Sequence, residues 1–233
     1  MKTLVIIPAR GGSKGIIKKN IKKFNGFPLI YYSIMQAREL FDDIDICVST
    51  DSLEIIHYVE SLGLQVPFIR PEELSGDKSS TNDVIMHALN FYKCNDVTYD
   101  AVLVLQPTSP LRSVNQIKES ISIFKKEINE IDMLVSVKET ESNPYYVLFE
   151  ENNDGFLVKS KEGEFLSRQE CPIVYEFNGA IYIYKVHSLM RNRISSLKKI
   201  RKYVMNQFQS IDIDTELDFE IAEFLLSKKK YFE

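Results

Sequence analysis

Short apolar runs alternate with stripes at helical spacing along the first part of the chain, and this rhythm predicts a fold before any residue is given a task. Residues 4–7 (Leu-Val-Ile-Ile) show no polar alternation, which suits a strand buried on both faces of a parallel sheet. Pro8 closes that run, because proline cannot donate to a strand ladder. Further runs at 44–48, 66–69, 101–105 and 133–137 predict four more strands. Between them, Leu29, Ile30, Ile34, Ala37 and Leu40 stripe a helix over 29–40, with Pro28 near its first turn. A second helix spans 53–62 and ends at Gly63. A third runs from about 82 to 94 with Val84, Ile85, Ala88, Leu89 and Tyr92 inward. Ser113 and Gln116 spell a capping box for a fourth, reaching residue 128.

The alternation breaks at Lys138. From 138 to 177 the sequence is polar but rich in aromatics, with turn signals at Asn143-Pro144 and Asn152-Asn153-Asp154-Gly155. It reads as an inserted lobe of a single domain: Tyr145, Tyr146, Val147, Phe149, Phe156, Leu157 and Phe165 need burying, and a lobe that cannot close its own core is a candidate interface. Asn178-Gly179 reads as a turn into a strand, and 202–205 as a last short strand. A final helix carries Leu217, Ile221, Ala222 and Leu225, and Lys228 to Lys230 read as its solvated end. The class is α/β: a Rossmann-like, mainly parallel sheet flanked by helices, with a small insertion.

Composition narrows the partners. The 233 residues are 44% hydrophobic and 27% charged, with a net charge of −4, so nothing draws the chain as a whole to nucleic acid or an anionic membrane. No stretch approaches the length of a membrane span, and Pro8 and Arg10 interrupt the opening run too early for a signal peptide. Cys47, Cys94 and Cys171 lie far apart, as expected of reduced thiols in a cytoplasmic protein.

Against that acidic background, the first run leads into Gly11, Gly12 and Gly15 threaded with Arg10, Ser13, Lys14, Lys18 and Lys19. Glycines let successive amides converge on an anion, and the cations add charge-assisted bonds to phosphate oxygens. A strand, a glycine-basic loop and a helix at the edge of an open sheet make a phosphate cradle; a solvated basic turn is the plain alternative. The order matches neither a P-loop nor a dinucleotide fingerprint. Ser49-Thr50-Asp51 stands where ligands bind in such sheets and serves equally well as a helix cap. Ile211-Asp212-Ile213-Asp214 has a period of two, which on a strand end turns both isoleucines to the core and both carboxylates to the other side. Such a pair suits magnesium, while capping of the last helix by Asp214 or Thr215 would explain it without a metal. The three histidines are isolated, and no other catalytic motif competes.

Residues 7–20 resemble the opening motif of the CMP-sialic acid synthetases (acylneuraminate cytidylyltransferases), I-P-A-R-x-x-S-K-G-[LI]-x-x-K-N. The resemblance extends to Arg-Pro-x-Glu-Leu at 70–74, Asp-x-x-Ser-[ST] at 77–81, Leu-Gln-Pro-Thr-Ser-Pro-Leu-Arg at 105–112, Asn-Gly-Ala-Ile-Tyr-Ile at 178–183, and the Asp-x-Asp pair. It implies a nucleotidyltransferase that joins CTP to a nonulosonic acid, N-acetylneuraminate or a relative such as legionaminate or pseudaminate, and releases pyrophosphate. CMP-Kdo synthesis is the neighbouring activity. By the same resemblance Arg10 and Lys19 neutralise the triphosphate, helped by Ala9, Gly11, Gly12, Ser13 and Lys14. Asn20, Ser80 and Thr81 lie at the cytidine, and Gln106, Arg168 and Tyr182 at the sugar. Asp212 and Asp214 hold Mg2+, and the lobe swaps across a homodimer. Departures cluster on the sugar side: Tyr145-Tyr146 and Glu176-Phe177 stand where sialic acid enzymes often place basic residues, and Ile17 replaces a common proline.

Overall fold

The computed structural model describes residues 1–13, 15–76 and 79–228. Its ten strands are β1 (Thr3–Pro8), β2 (Lys23–Phe24), β3 (Phe27–Pro28), β4 (Ile46–Ser49), β5 (Ala101–Val104), β6 (Met133–Glu139), β7 (Phe149–Glu151), β8 (Leu157–Lys159), β9 (Tyr175–Lys185) and β10 (Ile200–Val204). The helices are α1 (Leu29–Arg38), α2 (Leu53–Ser61), α3 (Thr81–Cys94), α4 (Val114–Glu127), α5 (Val186–Leu189) and α6 (Glu216–Ser227). Six strands form one sheet in the order β10-β6-β9-β5-β1-β4. β4, β1 and β5 are parallel, β10 is parallel to β6, and β9 runs antiparallel between β5 and β6. The unalternating run of β1 is buried from Thr3 to Ile7, as a strand covered on both faces requires. One core, containing Val5, Ile7, Ile34, Ile117, Phe124 and Ile183, fills one face of the sheet, and a second, containing Leu4, Ile6, Ile85, Tyr92 and Tyr184, fills the other. A smaller third core joins Ile16 of the glycine-basic loop to Phe24, Leu29, Ile213 and Phe219, which packs the C-terminal helix against that loop.

The chain departs from β1 toward β4 on one side and toward β5 on the other. Ligands bind in open α/β sheets at such a switch point, outside the carboxyl ends of the strands. Three capping boxes seat helices around it: Ser80 with Asp83 at α3, Ser113 with Gln116 at α4, and Thr215 with Asp218 at α6. Each satisfies two orphan amides, and losing such a cap costs about 1 kcal/mol.

Several expectations need correction. Residues 66–69 form no strand; Ile69 makes a single parallel bridge to Thr50. Ile44 is exposed in a 3-10 turn, and β4 begins at Ile46. The glycine-basic loop passes into a 3-10 turn (Lys19–Ile21) and the β2–β3 ribbon, so no helix N-terminus follows it directly. Asn178-Gly179 lies inside β9: Gly179, at φ +75°, sits beside a register shift between Val135 and Val137, a bulge in a continuous strand. The segment 211–214 is irregular, yet Ile213 is fully buried and both aspartates are exposed, so the inferred division of faces holds without a strand. The lobe carries the β7–β8 hairpin, whose six residues are all exposed, and Phe156, Leu157 and Leu166 remain largely open to solvent. No helix among the described residues is long and apolar enough to cross a membrane.

Candidate active site

The glycine-basic loop and the distant acid pair are built into one structure. The Lys19 ammonium is buried and donates to the Ile213 carbonyl at 2.6 Å and to Asp214 Oδ1 at 3.0 Å. A buried cation needs such compensation, and the exposed carboxylate alone would contribute little. Gly15 closes the same contact from the loop side, since a Cβ there would fall 2.0 Å from the Asp214 carbonyl oxygen. Asn20, also buried, donates from Nδ2 to the Arg10 carbonyl at 2.9 Å, which ties the end of the loop back to its beginning. Ala9 is buried, and its amide continues the β1–β4 ladder to the Ser49 carbonyl at 2.9 Å.

The glycine amides are not all directed at a ligand. The Gly11 N–H donates to Asp51 Oδ1 at 2.8 Å, and a Cβ on Gly11 would meet Ser52 at 2.9 Å. Gly11 is thus required by its packing on the β4–α2 turn, and Asp51 acts as a brace for the loop. Helix capping at α2 is done by Ser52, whose Oγ accepts from the Ile55 amide. Gly12 has open space around its Cα, Ser13 is half-buried, and Lys14 lies outside the described residues.

A cavity of about 250 Å³ opens at the switch point, lined by Pro8, Arg10, Arg70, Ser80, Thr81 and Gln106 among others. Arg70 opens the Arg-Pro-x-Glu-Leu segment, where no individual role for it is legible in the sequence. It is buried, donates from Nε to Ser49 Oγ at 3.0 Å, and desolvation holds its pKa below the ordinary value. Two guanidiniums on one cavity wall repel each other and favour an anion between them. Ser80 meets the cavity as the N-cap of α3, its hydroxyl donating to Asp83 Oδ2 at 2.6 Å. Thr81 and Gln106 also line a second cavity of about 360 Å³, walled by Met133, Phe177, Tyr182, Tyr184, Ile194 and Leu197. The two spaces therefore adjoin along the Thr81 and Gln106 side chains.

Of the two acids, Asp212 lies close enough to the second cavity for its charge to help raise the pKa of Tyr182, behind desolvation. Gly179 receives Asp212: a Cβ there would lie 2.9 Å from Asp212 Oδ2 and 3.2 Å from Ser109 Oγ. Asn178 props the segment from behind, donating from Nδ2 to Ser210 Oγ at 2.8 Å while its Oδ1 accepts from Ser136 Oγ at 2.6 Å. Desolvation raises the Asp212 pKa, and the Asp214 charge adds to it, while a hydrogen bond from Thr108 opposes the shift. Two carboxylates that repel each other, one of them partly desolvated, suit a cation that relieves both. No group of three or more His, Cys, Asp or Glu is placed to hold a metal ion among the described residues. A two-carboxylate site fits magnesium, which keeps waters and takes substrate phosphates for its remaining positions.

Arg168 is not brought to these cavities. It lies exposed in the lobe, in a 3-10 turn, 3.4 Å from Glu141. Glu176, whose charge beside an acidic sugar would be adverse, is held by Lys138 at 2.7 Å, which lowers its pKa.

The model of the family described as cytidylyltransferase matches residues 4–233. The chain is 37% identical over 97% of its length, and 95% of the relative's, to the post-translational flagellin modification protein B of Campylobacter coli. It is 38% identical, with the same coverage of both chains, to the CMP-N,N'-diacetyllegionaminic acid synthase of Campylobacter jejuni. In fold it resembles a solved CMP:2-keto-3-deoxy-manno-octonic acid synthetase complexed with CTP, with a TM-score of 0.71 at 15% identity over 98% of this chain and all of the other. The matched region takes in the glycine-basic loop, the turn after β5 and the acid pair alike, and this chain belongs to the cytidylyltransferase family.

Proposed function

We propose that the chain joins CTP to a nonulosonic acid, releasing pyrophosphate and giving the CMP-sugar. The observation that carries this reading is the docking of the cationic loop on the acid pair through Lys19 and Gly15, beside two adjoining cavities. The first cavity, with Arg10 and Arg70, takes the nucleotide; the second takes the sugar, with Gln106 and Tyr182 on its wall. A sugar hydroxyl forms a bond to the α-phosphorus as the bond to pyrophosphate breaks, so negative charge gathers on the leaving group. Arg10, on the wall of the first cavity, and Lys19, fixed against Asp214, would meet that charge with cations already in place, which need no reorganisation during reaction. Asp212 and Asp214 would hold Mg2+. When bound, magnesium neutralises phosphate oxygens and lowers the pKa of a coordinated hydroxyl.

A legionaminate-type sugar is favoured over N-acetylneuraminate. The wall of Met133, Tyr184, Ile194 and Leu197 offers few partners to a polyhydroxylated chain. Legionaminate presents a methyl and a second acylamino group where N-acetylneuraminate presents hydroxyls. The relatives named as CMP-N,N'-diacetyllegionaminic acid synthases point the same way. Pyrophosphate release from CTP, scored over a panel of nonulosonic acids and Kdo with magnesium present, tests this. The expected kcat/KM is at least about tenfold higher for N,N'-diacetyllegionaminic acid than for N-acetylneuraminic acid; the opposite order would reassign the sugar, and CTP binding without release would make the protein a sensor.

The exposed apolar side chains of the lobe, Phe149, Phe156, Leu157 and Leu166 among them, support a homodimer in which the lobe reaches a second subunit's sugar cavity. Arg168 would travel with it to pair with the sugar carboxylate. Arg168→Ala should then raise the sugar KM with the CTP KM nearly unchanged; the reverse pattern would move Arg168 to the nucleotide. A cytoplasmic setting accords with the three free cysteines.

A further inference from the structure

We propose that Arg112 is a positioning residue that holds the turn bearing Gln106 in register with the bulge that receives Asp212, a role that rests on the sugar contact assigned above to Gln106. Arg112 is 2% exposed, yet it forms no ion pair among the described residues. Its Nη1 donates to the carbonyls of Gln106 at 2.7 Å, Ser109 at 2.8 Å and Ala180 at 3.3 Å, and its Nη2 donates to Ser33 Oγ. Nε has no partner. Gln36 of α1 fixes the far side of the turn, donating from Nε2 to the Pro110 and Arg112 carbonyls.

A fully buried guanidinium bound mainly to main-chain carbonyls is a costly choice for packing alone. Its reach explains it. The fork spans the two ends of the turn, the strand residue next to Gly179, and α1, so Gln106, Ser109 and the Asp212 bulge are set by one planar group. Lysine, a point donor on a flexible stem, cannot hold several carbonyls at fixed angles. Burial presses the Arg112 pKa down to about 9, while the Asp212 charge supports the cation.

A double-mutant cycle between Arg112→Lys and Gln106→Ala tests this, with N,N'-diacetyllegionaminic acid as sugar and N-acetylneuraminic acid in a parallel arm. Sugar KM is read from pyrophosphate release, CTP Kd from calorimetry, and folding from a thermal melt. Arg112→Lys alone should raise sugar KM about tenfold and leave CTP Kd within about twofold, and in the Gln106→Ala background it should have almost no further effect. Additive effects, an unchanged sugar KM, or sugar and CTP affinities falling together would overturn the proposal. Should Arg112→Lys not fold, Ser33→Ala, which withdraws the Nη2 acceptor together with the Ser33 Oγ bond to the Gln106 carbonyl at 3.3 Å, goes through the same cycle with a smaller rise expected. A wild-type protein releasing no pyrophosphate with any sugar would sink the proposed function and this role together; additivity with pyrophosphate release intact would sink this role alone.

Discussion

Asp214→Asn should lower turnover by about 10²- to 10³-fold while CTP affinity falls much less. The substitution keeps the size of the side chain and an oxygen that can accept from Lys19, so the loop contact at 3.0 Å survives in shape. What it removes is one negative charge from a pair whose mutual repulsion already raises the Asp212 pKa. If the pair serves only to cap α6, the change should be nearly silent, because Thr215 and Asp218 complete that capping box themselves. Steady-state rates with CTP Kd measured separately distinguish the cases. Equal turnover would refute a role for the acids in the reaction, and a parallel loss of rate and affinity would confine them to binding CTP.

Gly15→Ala should separate the two halves of the site. The added Cβ would sit 2.0 Å from the Asp214 carbonyl oxygen, and that neighbour is backbone, so the loop or the acid segment must move by roughly 1 Å. Overpacking of this kind costs about 1–3 kcal/mol of stability. A displacement of that size in a reacting geometry costs about 100-fold in rate. The expected result is therefore a folded protein with a lowered melting temperature and kcat/KM reduced by about two orders of magnitude. Full activity in a stable Gly15→Ala protein would mean that loop and acids need no fixed register.

The sequence foretold those features whose cause is local. A continuous apolar run makes β1 whether or not its neighbours are known, and Ser113 with Gln116 caps α4 through contacts three residues apart. The alternation of Ile213 with Asp212 and Asp214 predicts which side chains turn inward, although the segment is irregular. What stayed hidden depends on distant partners. Residues 66–69 are as apolar as a strand, but among the described residues their backbone bridges only at Ile69, to Thr50. Gly179 reads as a turn because a positive φ serves a turn or a bulge equally, and only the pairing with β6 decides. The insertion of antiparallel β9 between β5 and β6 has no signature within β9 itself.

At the site the same division holds. Arg10, Ser80, Thr81 and Gln106 converge on one cavity, and Lys19 meets Asp214, as the motifs implied. Asp51 and Arg70 act through contacts with Gly11 and Ser49 that no spacing announces. Arg112 closes the segment at 105–112 that carries the resemblance, but no role for it is legible until the fold buries it. The bond from the Asn20 amide to the Arg10 carbonyl, which ties the loop to itself, likewise has no signature in the spacing.

Electron paramagnetic resonance of Mn2+ in place of magnesium, with CTP bound, tests most directly whether the cationic loop and the acid pair serve a single nucleotide. Phosphorus couplings from CTP to manganese held by wild-type protein, lost when Asp212 and Asp214 are both changed to Asn while CTP still binds, are the predicted result. Unchanged couplings and manganese affinity in that variant would contradict it.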